Sequence, residues 1–509
     1  MSDAARLVVI PVRLPGDYAR FEEIRRAVGV DGVGGLLLFG GDLEITPPFL
    51  RDLRRAASGP LIVMSDVERG VGQQVEGCLG HPPPMAVGAL RDPQAAYKLG
   101  VATAVDCRRV GIDMALAPVL DLYNEPRNPI IGPRSFGEDP RLVASLGAAW
   151  IAGCQDEGVL ACAKHFPGHG RTLADSHDDL PRVDASEKEL RAEDLVPFFR
   201  AVEARVGAVM TAHVAYPGLD PAGGSDLPAT LSRPILSGLL RGEMGYEGLI
   251  LTDALIMEGV RRSGGEGEAA VASLEAGCDV LLCPTDHAEV IEAVEKAIFS
   301  GRLEGRVLHR ARERLEEALG RLSRRPTARE VEGMDEYRAY AMAKAAVTTL
   351  RDPSRLLPHG TCPPGDVLAV VLDDDDRPGR EAPVGEWSGV FGGGILRRTP
   401  TEGEDAEILA RAAVAERVFL FLYGDVRAWK GRPGLHPDLA ALARALEEHV
   451  GDRMVQVAFG SPALVVEGRR SAAVAAWGDH LLVQRAALDL LMGGRSPTGR
   501  LPWGPDPLP

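Results

Sequence analysis

The chain has 509 residues, 45% of them hydrophobic and 26% charged, which suits a globular protein of two or three domains rather than one core. Asp plus Glu number 73 against 57 Lys plus Arg, a formal charge of -16, so a polyphosphate backbone is repelled and nucleic acid is excluded as a natural partner. Residues 1–15 lack a basic patch followed by an apolar core, and no apolar run reaches the ~20 residues that span a bilayer, so no membrane association and a cytoplasmic location are expected.

The first three hundred residues alternate between short apolar runs and helical patterns. The runs cover 7–12, 35–39, 61–66, 114–120, 160–165, 208–213, 249–253 and 280–283. Between and after them, helical spacing covers 18–28, 47–57, 93–109, 140–157, 187–205, 232–244, 266–276 and 287–299. The runs are almost wholly apolar rather than alternating, which suits parallel strands covered on both faces. Repeated βα units of this kind predict an α/β fold with an N-terminal (β/α)8 barrel.

Run after run ends in a polar residue: Asp66, Asp121, Lys164 with His165, His213 and Asp253. In such barrels the C-terminal strand ends form the reactive face. The densest stretch is 164–181, KHFPGHGRTLADSHDDLP, where a Pro-Gly pair and a second glycine shape a loop carrying three histidines and several carboxylates.

Further on, 304–322 is a charged helical pattern leading to Arg324-Arg325-Pro326. The predicted domains are 1–325 for the barrel, 326–360 for a linker containing a helix, and 361–509 for a smaller α/β sheet domain with runs at 367–372, 418–423, 454–459 and 472–477. The acidic run Asp373–Asp376 is expected to be a solvated turn rather than a metal site. The seven cysteines form no C-x-x-C pair, and Cys107, Cys154, Cys162, Cys278 and Cys283 are expected to be buried hydrophobes in a reduced chain. No metal or cofactor is expected.

A mouth lined with Asp, His, Lys and Arg suits a ligand rich in hydroxyl groups, since charged partners make the strongest hydrogen bonds. Cleaving a glycoside needs an anion beneath the anomeric carbon and a proton donor beside the leaving oxygen. Asp253, at a strand end, fits the first need, although capping the following helix would explain it equally well. His177 fits the second because imidazole titrates near neutrality, and Asp175 lies where it could orient that ring.

The 164–181 loop closely resembles that of glycoside hydrolase family 3, in its β-N-acetylglucosaminidase branch. Ser65-Asp66-Val67-Glu68-Arg69-Gly70, Ala117 to Asp121 with Arg134 to Pro140, Met210 to Val214 and Leu251-Thr252-Asp253 resemble further blocks of that family. Phe459-Gly460-Ser461-Pro462 and 496–502 resemble the second domain of its two-domain members. The resemblance implies a retaining exo-β-N-acetylglucosaminidase of muropeptide or chitin fragments. It makes Asp253 the nucleophile, His177 with Asp175 the acid/base, and Asp66, Arg134, Lys164 and His165 the sugar-gripping residues. Phosphate in place of water as acceptor, β-glucosidase-like specificity and a silent sugar-binding protein are the alternatives; oligomeric state is left open. Three departures stand out: Arg171 where the branch usually has Asp, Ala254 where a second Asp often follows the nucleophile, and Gln74 where an Arg is frequent.

Overall fold

The computed structural model describes residues 2–176, 179–222, 227–261, 264–323, 335–357, 367–377, 379–401, 403, 405–427 and 430–504. The chain divides into two compact units. The first comprises 1–80, 96–122 and 140–334; the second comprises 81–95, 123–139 and 335–509.

In the first unit eight strands close a parallel barrel: β1 (Val8–Arg13), β2 (Gly35–Phe39), β3 (Ile62–Ser65), β4 (Met114–Ala115), β5 (Leu160–Phe166), β6 (Ala208–Thr211), β7 (Leu249–Ala254) and β8 (Val280–Leu282). Closure is made by β1 against β8, with Val8 opposite Leu281 and Val9 opposite Leu282. The expected barrel is therefore present. β4 is shorter than the 114–120 run: its pairing with β5 ends at Ala115, although Lys164 N–H donates to Pro118 O at 3.2 Å.

Side chains alternate inward and outward along each strand. The inward set forms one cluster that includes Val9, Leu37, Met64, Cys162, Leu251 and Leu282. Burying each such aliphatic side chain is worth ~1.5–3 kcal/mol, so the interior is a packed core and not a channel. At the strands' N-terminal ends the charged groups serve stability. Asp113 accepts from Val63 N–H at 3.0 Å and pairs with Arg54; Asp279 accepts from Ile250 N–H at 2.8 Å and pairs with Arg314. Among the described residues no helix is long and apolar enough to cross a membrane.

The second unit holds a six-stranded sheet. Its strands are β9 (Thr348–Arg351), β10 (Val367–Asp373), β11 (Ile395–Arg398), β12 (Arg417–Gly424), β13 (Met454–Gly460) and β14 (Ala472–Ala475), in the order β11-β10-β12-β13-β14-β9. All pairs are parallel except β14 with β9. β9 lies in the stretch read from sequence as linker, and β11 belongs to none of the predicted runs. The segments 81–95 and 123–139 join this unit because Met85 and Tyr123 share a core cluster with Ala346 and Trp477.

One expectation is corrected here. Asp373 and Asp374 are buried, and Asp375 pairs with Arg380 at 2.8 Å and with Lys430 at 2.9 Å. Lys430 also pairs with Asp374 at 2.7 Å, and Arg397 with Asp373 at 2.8 Å. The run is thus not a solvated turn. Cations from distant parts of the sequence converge on it and offset the loss of hydration. The five cysteines named above are buried and unbridged.

Candidate active site

Parity along the strands carries the core pattern upward to the mouth. Val9 faces inward on β1, and so, two and four residues on, do Pro11 and Arg13. Leu37 leads to Phe39 and Met64 to Asp66 by the same count. The register shifts in β5 between Ala163 and Phe166 and in β7 between Leu251 and Ala254, so Lys164 and Asp253 are placed by their own contacts and not by parity. Pairing sets Arg13 beside Phe39 and Leu37 beside Met64 along the first three strands. Polar side chains that looked merely terminal in the sequence thus stand in a ring just above the apolar core.

Lys164 is 1% exposed, and an ammonium so deep needs compensating charge. Its Nζ lies 2.6 Å from Asp66 Oδ1 and 2.8 Å from Glu68 Oε1. Burial pushes the Cys162 thiol up to about 12; Lys164 opposes the shift, while Asp66 and Asp253 add to it. Burial likewise raises the Cys283 thiol to about 12, with Arg13 opposing and Asp66 and Asp253 again adding. Both carboxylates therefore act on the same inner strand positions from above.

Asp121 is wholly buried and organises the loop after β5. It accepts from His165 N–H at 3.1 Å, His165 Nδ1–H at 2.7 Å and His169 N–H at 2.6 Å. Burial alone would raise its pKa, but His165 and His169 hold it below the ordinary carboxylate range. The His169 ring is buried, and burial followed by His165 lowers its pKa to about 4, so it is neutral. Thr172 donates its hydroxyl proton to His169 O and so accepts from Nδ1–H at 2.8 Å; Nε2 then accepts from Ser176 at 3.0 Å. His169 is a brace within the loop.

The loop is anchored on both sides. Gly170 is required there, because a Cβ would stand 1.8 Å from Leu122 O. Tyr216 Oη–H donates to Gly168 O at 2.6 Å, and Gly259 N–H, six residues beyond Asp253, donates to Ser176 O at 3.2 Å. Arg171 fastens the loop's outer edge to Asp194 at 2.8 Å and to Glu193. The departure at 171 thus has a structural role: an ion pair holds the loop. Asp175 is buried, and its carbonyl accepts from Asp179 N–H at 3.1 Å. His177 lies outside the described residues.

β7 is secured from behind. His213, fully buried, reaches Ala254 O with Nε2 at 3.2 Å and Thr230 Oγ with Nδ1 at 2.7 Å. A carbonyl only accepts, so Nε2 carries a proton, while the Thr230 hydroxyl against Nδ1 also donates to Ala212 O at 3.1 Å. Ala254 N–H donates to Asp253 Oδ1 at 2.7 Å, and Asp253 itself is half-buried.

Asp66, Lys164, His165 and Asp253 thus gather at one end of the barrel. Arg134 belongs to the second unit, on the turn Gly132–Arg134, where its Nη1 donates to Ile130 O at 2.8 Å. Gln74 is engaged by backbone: Oε1 accepts from Gly40 N–H at 3.2 Å and Nε2 donates to Asp66 O at 3.1 Å. Sequence reasoning passed over Glu68 and Arg13 as site residues. The signal for Arg13 was its place four residues after Val9, on the inward parity. Among the described residues no group of His, Cys, Asp and Glu is placed to hold a metal ion.

Comparison with known proteins agrees with this geometry. The family model described as the glycosyl hydrolase family 3 N terminal domain matches residues 5–318. A β-hexosaminidase of Tolumonas auensis is 40% identical over 270 residues, covering 52% of this chain and 79% of the relative. A solved glycoside hydrolase family 3 β-N-acetylglucosaminidase from a Paenibacillus species is 29% identical, with a TM-score of 0.83 and 98% of each chain covered. A β-glucoside phosphorylase shares the fold, with a TM-score of 0.84 at 21% identity, covering 98% of this chain and 92% of its own.

Proposed function

We propose a specific reaction for this chain, which belongs to glycosyl hydrolase family 3 and is a glycoside hydrolase: it removes terminal β-linked N-acetylglucosamine with retention of configuration. Muropeptide or chitin fragments in the cytoplasm are its substrates. The Asp253 carboxylate attacks the anomeric carbon while His177, oriented by Asp175, protonates the departing oxygen. A glycosyl ester forms on Asp253. His177 then takes a proton from water, which displaces the carboxylate from the opposite face, so two inversions leave the β-anomer. Asp66, Lys164 and His165 hold the sugar hydroxyls, and the part given to Arg134 rests on the resemblance of its sequence block alone.

One observation carries this reading. Asp253 stands at the C-terminal end of β7, where it and Asp66 both act on the Cys162 and Cys283 thiols, and the loop after β5 is tied by Ser176 O to Gly259 N–H just beyond it. The names of the β-hexosaminidase relatives and of the Paenibacillus structure support the choice of sugar. The roles of His177 and Asp175 rest on the loop's sequence.

The test is turnover of a 4-nitrophenyl N-acetyl-β-glucosaminide with and without inorganic phosphate. NMR of the first-formed product should show β-N-acetylglucosamine. The free α-anomer first would remove the covalent intermediate, and sugar 1-phosphate as the main product would replace hydrolysis by phosphorolysis.

A further inference from the structure

Arg13 is the last residue of β1, inward by parity and paired in register with Phe39 of β2. Phe39 packs on the barrel core, and the Arg13 guanidinium lies 5.3 Å from the centre of its ring. The cation therefore stands exposed at the C-terminal end of β1, where it and Asp66 both act on the Cys283 thiol. Asp17, its near neighbour in sequence, takes only the Arg13 backbone N–H, at 2.7 Å, and gives its other oxygen to Arg20. Among the described residues the Arg13 side chain has no ion pair, whereas Arg54, Arg171 and Arg241 each hold a carboxylate. Lys164 in the same ring is matched by two carboxylates, Asp66 and Glu68. Gln74, where an arginine is frequent in the resembled branch, is neutral and engaged with backbone.

A guanidinium lying over an aromatic face keeps its edge N–H groups available, and that planar edge matches the oxygens of a carboxylate, sulfate or phosphate. In a chain of formal charge -16, an exposed cation at the barrel's mouth with no ion partner among the described residues is a feature that would draw an anion there. We propose that Arg13 is a further substrate-binding residue, taking an oxyanion that is either a substituent of the bound sugar or a free phosphate acceptor. This rests on the glycosidase reading above.

The experiment compares the wild-type enzyme with Arg13→Gln and Arg13→Lys. Each is assayed on the neutral 4-nitrophenyl N-acetyl-β-glucosaminide and its 4- and 6-sulfate esters, with and without inorganic phosphate. If the anion is on the sugar, Arg13→Gln lowers the sulfated-to-neutral ratio of kcat/KM about tenfold to a hundredfold, and Arg13→Lys restores part of it. If the anion is the acceptor, Arg13→Gln instead removes the acceleration by phosphate and the sugar 1-phosphate product. An unchanged ratio together with an unchanged phosphate response overturns the proposal. Calorimetric titration with inorganic phosphate and sulfate reads the site without turnover: equal binding by wild type and Arg13→Gln overturns it. Wild-type enzyme that binds these ions through Arg13 yet cleaves neither glycoside would sink the glycosidase reading alone.

Discussion

Replacing Asp121 by Asn tests whether a single buried carboxylate holds the loop after β5 in place. Three N–H groups converge on Asp121, at 3.1, 2.7 and 2.6 Å. Asn keeps the volume and one accepting oxygen, but its amide nitrogen faces His165 Nδ1–H, donor against donor, unless the ring changes tautomer. A hydrogen bond to a charged group is worth ~1.5–3 kcal/mol net and a neutral one ~0.5–1.5. Removing the charge from three such bonds, at about 1–1.5 kcal/mol each, therefore costs about 3–4.5 kcal/mol. Amide exchange at His165 and His169 should accelerate about a hundredfold to a thousandfold by local opening. Asp121→Ala leaves all three donors unmet, for a cost of roughly 5 kcal/mol. Hydrogen exchange read by mass spectrometry follows the segment directly, which avoids treating a two-unit protein as one two-state transition. Because the folded pKa of Asp121 is depressed, its contribution is complete above an unfolded value near ~4 and is lost as pH falls through the folded one. Wild type and Asp121→Asn should thus converge at acid pH. Native-like protection of His165 and His169 in Asp121→Ala would refute the account.

Other expectations follow from the same geometry. Asp253→Asn should leave no measurable turnover, with a wild-type thermal transition showing that the fold is intact. His177→Ala should slow substrates with poor leaving groups by about 10²–10⁴-fold and activated aryl glycosides far less; equal losses would take His177 out of the acid role. Asp375→Asn breaks a buried pair with Arg380 and Lys430 at a cost of about 3–5 kcal/mol, lowering the melting midpoint of the second unit on the order of 10 °C by calorimetry. The Asp375 pKa is held down, so this stabilisation is present above pH ~4 and drains as the pH falls below it. Arg171→Ala should speed amide exchange between Gly168 and Ser176 without moving that of β7; slow exchange in both would show the ion pair to be idle.

The barrel was legible because its strands are buried on both faces, which leaves uninterrupted apolar runs that any reader of the chain can mark. The site was legible where a polar residue ended such a run, as at Asp66, Lys164 and Asp253. Arg13 escaped notice because the first run was closed at Val12, one residue early, and only counting parity from Val9 turns it into the mouth. Asp121 looked like one more polar terminus. Its importance lies in partners 44 and 48 residues away, and no local pattern encodes such a bond. The acidic run at 373–376 misled for the same reason: four carboxylates in a row look wet until Arg380, Arg397, Lys430 and Arg432 are brought to them by the fold. β11 was invisible because every one of its residues is only half-buried at a sheet edge, so it carries no clean alternation.

The two-residue repeat along the strands also limits how a barrel of this kind can change over time. Loops between strands and helices can gain or lose single residues freely. Inside β1, whose register with β2 is unbroken, deleting one residue ahead of Arg13 would turn its side chain to the helix side and bring Leu14 to its place instead. Length changes there are therefore silent only in steps of two, and descendants of this chain should vary at their turns while keeping the count from Val9 to Arg13 intact.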